Sequence, residues 1–167
     1  GEILGIVGES GAGKSTISTA ITRLIDYPGY IEQGSINLAG TDLMTLSDDE
    51  MQRIRGSRIG VIFQDPLTAL NPVLTIGFQL MEAIRLHLGF TGDQLKTRAI
   101  DLLNQVGIPE PENRLKQYPH QFSGGMRQRV VIAIALAGEP EFLLADEPTT
   151  ALDVSIQSEI LALIQDL

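Results

Sequence analysis

The segment Gly8–Thr16, GESGAGKST, constrains what this chain can fold into more than any other stretch. Three glycines surround one lysine, and two hydroxyl residues follow it. Glycine carries no Cβ, so consecutive backbone N–H groups can converge on an anion; the lysine adds a mobile cation, and a hydroxyl oxygen can ligate a divalent metal. The spacing G-x-x-x-x-G-K-[ST] is that of a phosphate-binding loop, which leaves a strand and opens a helix. The flanks agree. Residues 2–7, EILGIV, form a short apolar, β-branched run, and KSTISTAITRLI from Lys14 has helical periodicity. Strand, loop and helix are therefore expected in that order. Gly8, Glu9, Ser10, Gly11, Ala12, Gly13, Lys14, Ser15 and Thr16 line the phosphates in this reading. Lys14 reaches the β and γ phosphates, Ser15 ligates Mg²⁺, and the helix adds its positive dipole end.

Two more apolar runs, RIGVIF (58–63) and EFLLAD (141–146), lack polar alternation and suit strands of a mainly parallel sheet covered on both faces. GSINLAG (34–40) alternates and is bounded by glycine, as a half-exposed antiparallel strand would be. From Asp65 to Phe122 the texture changes to helical periods broken by proline and glycine. The expected architecture is α/β: a mainly parallel sheet flanked by helices, an antiparallel side layer, and an inserted helical subdomain. Residues 1–64 and 138–167 would form the core, and 65–137 the helical part including the helix after Ser123. With 167 residues, one domain can be built.

Composition narrows the function classes. The chain has no cysteine, which excludes disulfides and thiolate metal sites. A formal charge of −9 opposes a long run of phosphate contacts on nucleic acid. No apolar window reaches membrane-span length and no signal-type N-terminus is present, so the chain reads as soluble and intracellular.

A phosphate loop needs a second metal contact and a group that orients water, and the end of another buried strand is the place to look. FLLADEP supplies both: Asp146 can hold Mg²⁺ through its water shell, and Glu147 can polarise the water that attacks the γ phosphate. In FSGGMRQR a serine and two glycines open a helix, so the Ser123 hydroxyl and the Gly124 and Gly125 amides could cradle an anion. Taken alone, the segment is better accounted for by ordinary serine capping. If it is an anion site, a second cradle exceeds what one nucleotide needs and points to paired subunits that exchange cradles.

GESGAGKST, FQDP, FSGGMRQR and LLADEPTTALD, in that order, resemble the ATP-binding subunits of ABC transporters over essentially the whole chain. The stretches FQDPLTALNPVLTIGFQLMEAI and YPHQFSGGMRQRVVIAIALA are similar to the dipeptide, oligopeptide and nickel importer ATPases. The resemblance implies a P-loop NTPase fold and Mg²⁺-dependent ATP hydrolysis that powers import, with peptide the first choice of cargo. It implies Gln64 as a ligand of Mg²⁺ and a sensor of water, Lys14 and Glu147 as its catalytic companions, and Asp153 as the aspartate crossing a dimer interface. Implied partners are a second ATPase subunit and transmembrane permease subunits, at the cytoplasmic face of the membrane. Met126 departs from the commoner glutamine of the signature and removes one amide contact.

The family's adenine-stacking aromatic, ahead of the phosphate loop, and its histidine after the Asp-Glu pair have no counterpart here: Tyr27, Tyr30 and Tyr118 all follow the loop, and His87 and His120 precede Glu147. The chain therefore reads as part of a nucleotide-binding domain. Two other readings stand beside the importer: a soluble ABC ATPase of nucleic-acid repair or translation, and a nucleotide-binding fragment with little turnover. Exposure around Leu70, Val73 and Leu74 would favour docking of the helical part on a membrane subunit.

Overall fold

The computed structural model describes residues 2–150 and 152–166. The chain divides into two compact units, Gly1–Arg55 and Gly56–Leu167.

In the first unit, helix α1 (Lys14–Ile21) follows Gly13, whose φ of 90° lies in the left-handed region. It stops a turn short of the periodicity that runs to Ile25. The Thr22 hydroxyl donates back to the Ser18 carbonyl at 2.9 Å, and Arg23 takes a φ of 53°, which ends right-handed helix. Strand β1 (Asn37–Leu38), within the stretch expected to alternate, forms an antiparallel hairpin with β2 (Thr41–Asp42), which lies just beyond it. Ala39 and Gly40 both have positive φ, as a two-residue hairpin turn of the right twist requires, and the Gly40 amide donates to Asn37 Oδ1 at 2.8 Å. Helix α2 (Asp48–Ile54) opens on a reciprocal capping box between Ser47 and Glu50. Hydrogen bonds from the Ser47 hydroxyl and amide hold the Glu50 carboxyl below the usual carboxylate range.

The expectation for residues 2–7 is corrected: they form no strand. Ile3, Leu4 and Val7 are 67%, 83% and 96% exposed. Strand propensity is realised only where a neighbouring strand supplies the ladder and an apolar face is covered, and the first unit offers little to cover one. Its wholly buried apolar side chains among the described residues are Leu43 and Met51.

The second unit carries the main core. Strand β3 (Ile59–Ile62) pairs in parallel with β4 (Phe142–Ala145), in register from Ile59↔Phe142 to Ile62↔Ala145. Between them run α3 (Pro66–Ala69), α4 (Ile76–Leu88), α5 (Gly92–Gln105), α6 (Pro111–Arg114) and α7 (Gly124–Ala135); α8 (Val154–Asp166) follows. The helical periods expected between Asp65 and Phe122 are met by α4 and α5, and the helix expected after Ser123 by α7. Helices α4, α5 and α7 pack on one another, and α7 also packs on β3, burying Ile62, Leu80, Leu102, Val130 and Ile132. Strand β3, against which α7 packs, is covered as expected; β4 is not, with Phe142 40% exposed.

Two glycines let α7 and its exit turn lie close to the β3 region. A Cβ on Gly60 would come within 2.5 Å of the Ala135 carbonyl oxygen, and one on Gly138 within 2.0 Å of the Gly56 oxygen. On α4, His87 is half-buried with its ring over Gly56, and burial lowers its pKa.

Two outcomes follow from this packing. Gly60→Ala should destabilise the fold by about 1–3 kcal/mol, the usual cost of overpacking against a backbone atom that cannot yield, read from chemical unfolding followed by circular dichroism. His87 should make stability pH-dependent. Its folded pKa lies below the unfolded value of about 6.5, so the unfolded chain takes up the proton first as pH falls and stability is lost through that range. The thermal midpoint should drop from about pH 7.5 to about pH 5.5, and His87→Gln should flatten that slope.

Candidate functional site

The phosphate loop, in the first unit, is built by backbone conformation. Gly11 and Gly13 have φ of 82° and 90°, and a Cβ at either would meet nothing within 4 Å, so the space over these residues is open. The Ala12 amide donates to the Glu9 carbonyl at 3.1 Å and closes the turn. Lys14 Nζ folds back over the loop and donates to the Gly8 and Glu9 carbonyls, each at 3.1 Å. No side chain caps α1, because its N-cap is Gly13, so its first-turn dipole faces solvent without an acidic residue to offset it. An open cradle, an uncapped helix end and a lysine resting on replaceable carbonyl partners fit a polyphosphate. Ser15 and Thr16, in the exposed first turn of α1, offer hard oxygen donors of the kind Mg²⁺ takes.

In the second unit, the parallel register of β3 with β4 brings the residues just past the two strands together. The Asp146 amide donates to the Ile62 carbonyl at 3.0 Å and extends the ladder by one step. One residue further, Gln64 Nε2 donates to Glu147 Oε2 at 3.0 Å. The same carboxylate oxygen accepts from the Thr150 hydroxyl at 3.1 Å. Glu147 has a φ of 45°, an unfavourable conformation for a residue with a Cβ, held here at the carboxyl edge of a parallel pair, where α/β sheets place ligands. Sequence reasoning identified Asp146, Glu147 and Gln64 but not Thr150. The signal lay in the third position after the glutamate, a spacing that a helical or turn backbone makes a neighbour.

At the start of α7, Ser123 is the N-cap: its hydroxyl accepts from the Met126 amide at 3.3 Å. A Cβ on Gly125 would sit 2.8 Å from Ile156 Cγ2, so this glycine is required by the packing of α7 on α8, whereas Gly124 has ordinary room beside Leu152. Capping and helix packing thus account for two of the three signature residues in this structure. The same contacts bring the signature segment next to exposed Asp153, whose carbonyl accepts from the Gln157 amide at 2.9 Å. His120 is exposed and stacks on Tyr118, with ring centroids 5.7 Å apart. Among the described residues no group of three histidine or carboxylate side chains converges on a metal position.

These motifs have close counterparts. The chain is 56% identical over 167 residues to the dipeptide transport ATP-binding protein DppD of Escherichia coli, covering all of this chain and 51% of the relative. It is 57% identical over 168 residues to the oligopeptide transport ATP-binding protein OppD of Bacillus subtilis, covering all of this chain and 47% of that relative. The chain therefore spans about half the length of these curated relatives. Among solved structures it is similar to the ATP-binding cassette MJ0796, determined as a dimeric post-hydrolysis state bound to ADP and Pi. That likeness has a TM-score of 0.78 and 32% identity, and covers 95% of this chain and 66% of the other. The fold is that of the P-loop NTPase cassettes. With the ABC transporter family pattern matching residues 1–150, the glycine loop, the glutamine, the serine-glycine helix cap and the Asp-Glu pair place this chain in the ABC transporter family.

Proposed function

We propose that this chain is the nucleotide-handling part of an ATP-hydrolysing subunit that powers an importer, with peptides as cargo. The observation that carries the reading is the Gln64–Glu147–Thr150 cluster at the carboxyl edge of β3 and β4. The cargo rests on the relatives, which are named for dipeptide and oligopeptide transport.

The chemistry divides between residues of stated type. Loop amides from Ser10 to Thr16 bind phosphate oxygens, and Lys14 exchanges its carbonyl partners for the β and γ phosphates. Ser15, Gln64 and Asp146 would hold Mg²⁺, which when bound neutralises charge on the leaving phosphate. Glu147 accepts a proton from the attacking water. Thr150 orients that carboxylate in the working site, and Gln64 holds it in the nucleotide-free arrangement, as a base must be oriented before its pKa matters. Breaking the bond between the β,γ-bridging oxygen and the γ-phosphorus then leaves ADP and inorganic phosphate.

Ser123, Gly124, Gly125 and Asp153 belong, in this reading, to the contact with a second ATPase subunit and its nucleotide. Residues 65–137 form the helical subdomain that docks on transmembrane subunits. Leu70 is buried and Leu74 half-buried, but Val73 is 75% exposed, and Leu67 and Phe78 expose 61% and 51%. That apolar surface supports docking. Among the described residues no helix is long and apolar enough to cross a membrane, which suits a peripheral subunit.

In the full-length protein, Glu147→Gln should retain ATP binding and lower hydrolysis at least about 100-fold, the scale of general-base catalysis. Phosphate release and nucleotide titration measure the two separately, and hydrolysis at the parental rate would contradict the assignment. Thr150→Val should cost roughly 3- to 10-fold in kcat, because it removes an orienting contact and leaves the base in place.

A further inference from the structure

Gln128 is wholly buried, and neither amide atom of its side chain has a hydrogen-bond partner among the described residues. Buried polar groups are almost always paired, so an orphaned amide is a feature to be accounted for. Its place in the fold suggests what it serves. Gln128 and Ala135 lie two turns apart on the same face of α7, and the Ala135 carbonyl is the atom that crowds Gly60 of β3. Helix α7 runs opposite to the strands, because its first residues pack on Leu152 and Ile156, past the end of β4, while its exit leads back to the start of β4. Two turns of helix rise about 10 Å, which matches about three residues of strand. Counted from Gly60, that puts Gln128 at the level of Phe63 and Gln64. The packing of α7 on α3, the short helix that begins at Pro66, agrees.

We infer that Gln128 is a positioning residue for Gln64: its amide is held in reserve beneath the Phe63–Asp65 segment and hydrogen-bonds that backbone when Gln64 leaves Glu147. The inference rests on the ATP-hydrolysis reading. The segment has two polar arrangements. In one, the arrangement of this structure, Gln64 donates to Glu147 and the Gln128 amide has no partner among the described residues. In the other, Glu147 is released to face water and the shifted backbone supplies Gln128 with its partner. The buried amide thus destabilises the resting arrangement and favours the working one, an effect that an apolar residue of equal size cannot reproduce.

Gln128→Met in the full-length protein is the test, since methionine keeps the length and volume without the amide. Three results are expected. The thermal midpoint of the nucleotide-free protein rises by a few degrees, kcat for ATP falls about tenfold with KM within twofold, and in a Gln64→Ala background the same substitution leaves kcat unchanged within twofold. A parental kcat, an equal tenfold loss in the Gln64→Ala background, or a lowered nucleotide-free midpoint would each overturn the inference. A parent protein that binds and hydrolyses no ATP would overturn the functional reading and this inference with it, an outcome distinct from the other three.

Discussion

The parallel ladder between β3 and β4 is the constraint on which the second unit depends. Parallel pairing aligns like ends of the two strands, so Ile62↔Ala145 fixes what lies just beyond. The two chain segments leave the sheet at the same edge, and Gln64 meets Glu147 there across a sequence separation of 83 residues. A shift of one residue in this register would turn alternate side chains to the other face, separating that pair and exposing Ile62. Helix α7 packs on this ladder at β3. The packing of the helices between the strands, with α7 against Gly60, is the source of the largest cluster of buried apolar side chains in the chain.

Glycine has two opposite uses here. At Gly11 and Gly13 it leaves space, with left-handed backbone and nothing where a Cβ would be, and that openness is the property a phosphate requires. At Gly60, Gly125 and Gly138 it removes space, letting backbone or a β-branched side chain approach where a Cβ could not stand. The first use belongs to ligand binding and the second to packing. Gly125 shows why the distinction matters: in a motif that reads as an anion cradle, the contact that excludes a side chain is Ile156.

Much of this was legible in the sequence, for identifiable reasons. The phosphate loop was readable because its geometry is a backbone property that needs glycine at set positions, and the helices over α4 and α5 because their apolar period is strong. Asp146 and Glu147 were readable from charge placed directly after an apolar strand. The partnership of Gln64 with Glu147 was not derivable from spacing, since it depends on strand register; resemblance to the family implied the role of Gln64, and the register supplies the contact. Thr150 escaped because a threonine three residues past a glutamate is commonplace. Residues 2–7 misled because β-branched composition reports propensity and says nothing of whether a neighbouring strand is available.

The most direct measurement of the central claim, that Gly8–Thr16 is a formed nucleotide site, is calorimetric titration of this 167-residue chain and of its Lys14→Ala variant with MgATP. Saturable binding with one nucleotide per chain is expected, lost or weakened at least tenfold in the variant. Equal affinity in the two proteins, or no binding by the parent chain, would contradict that claim.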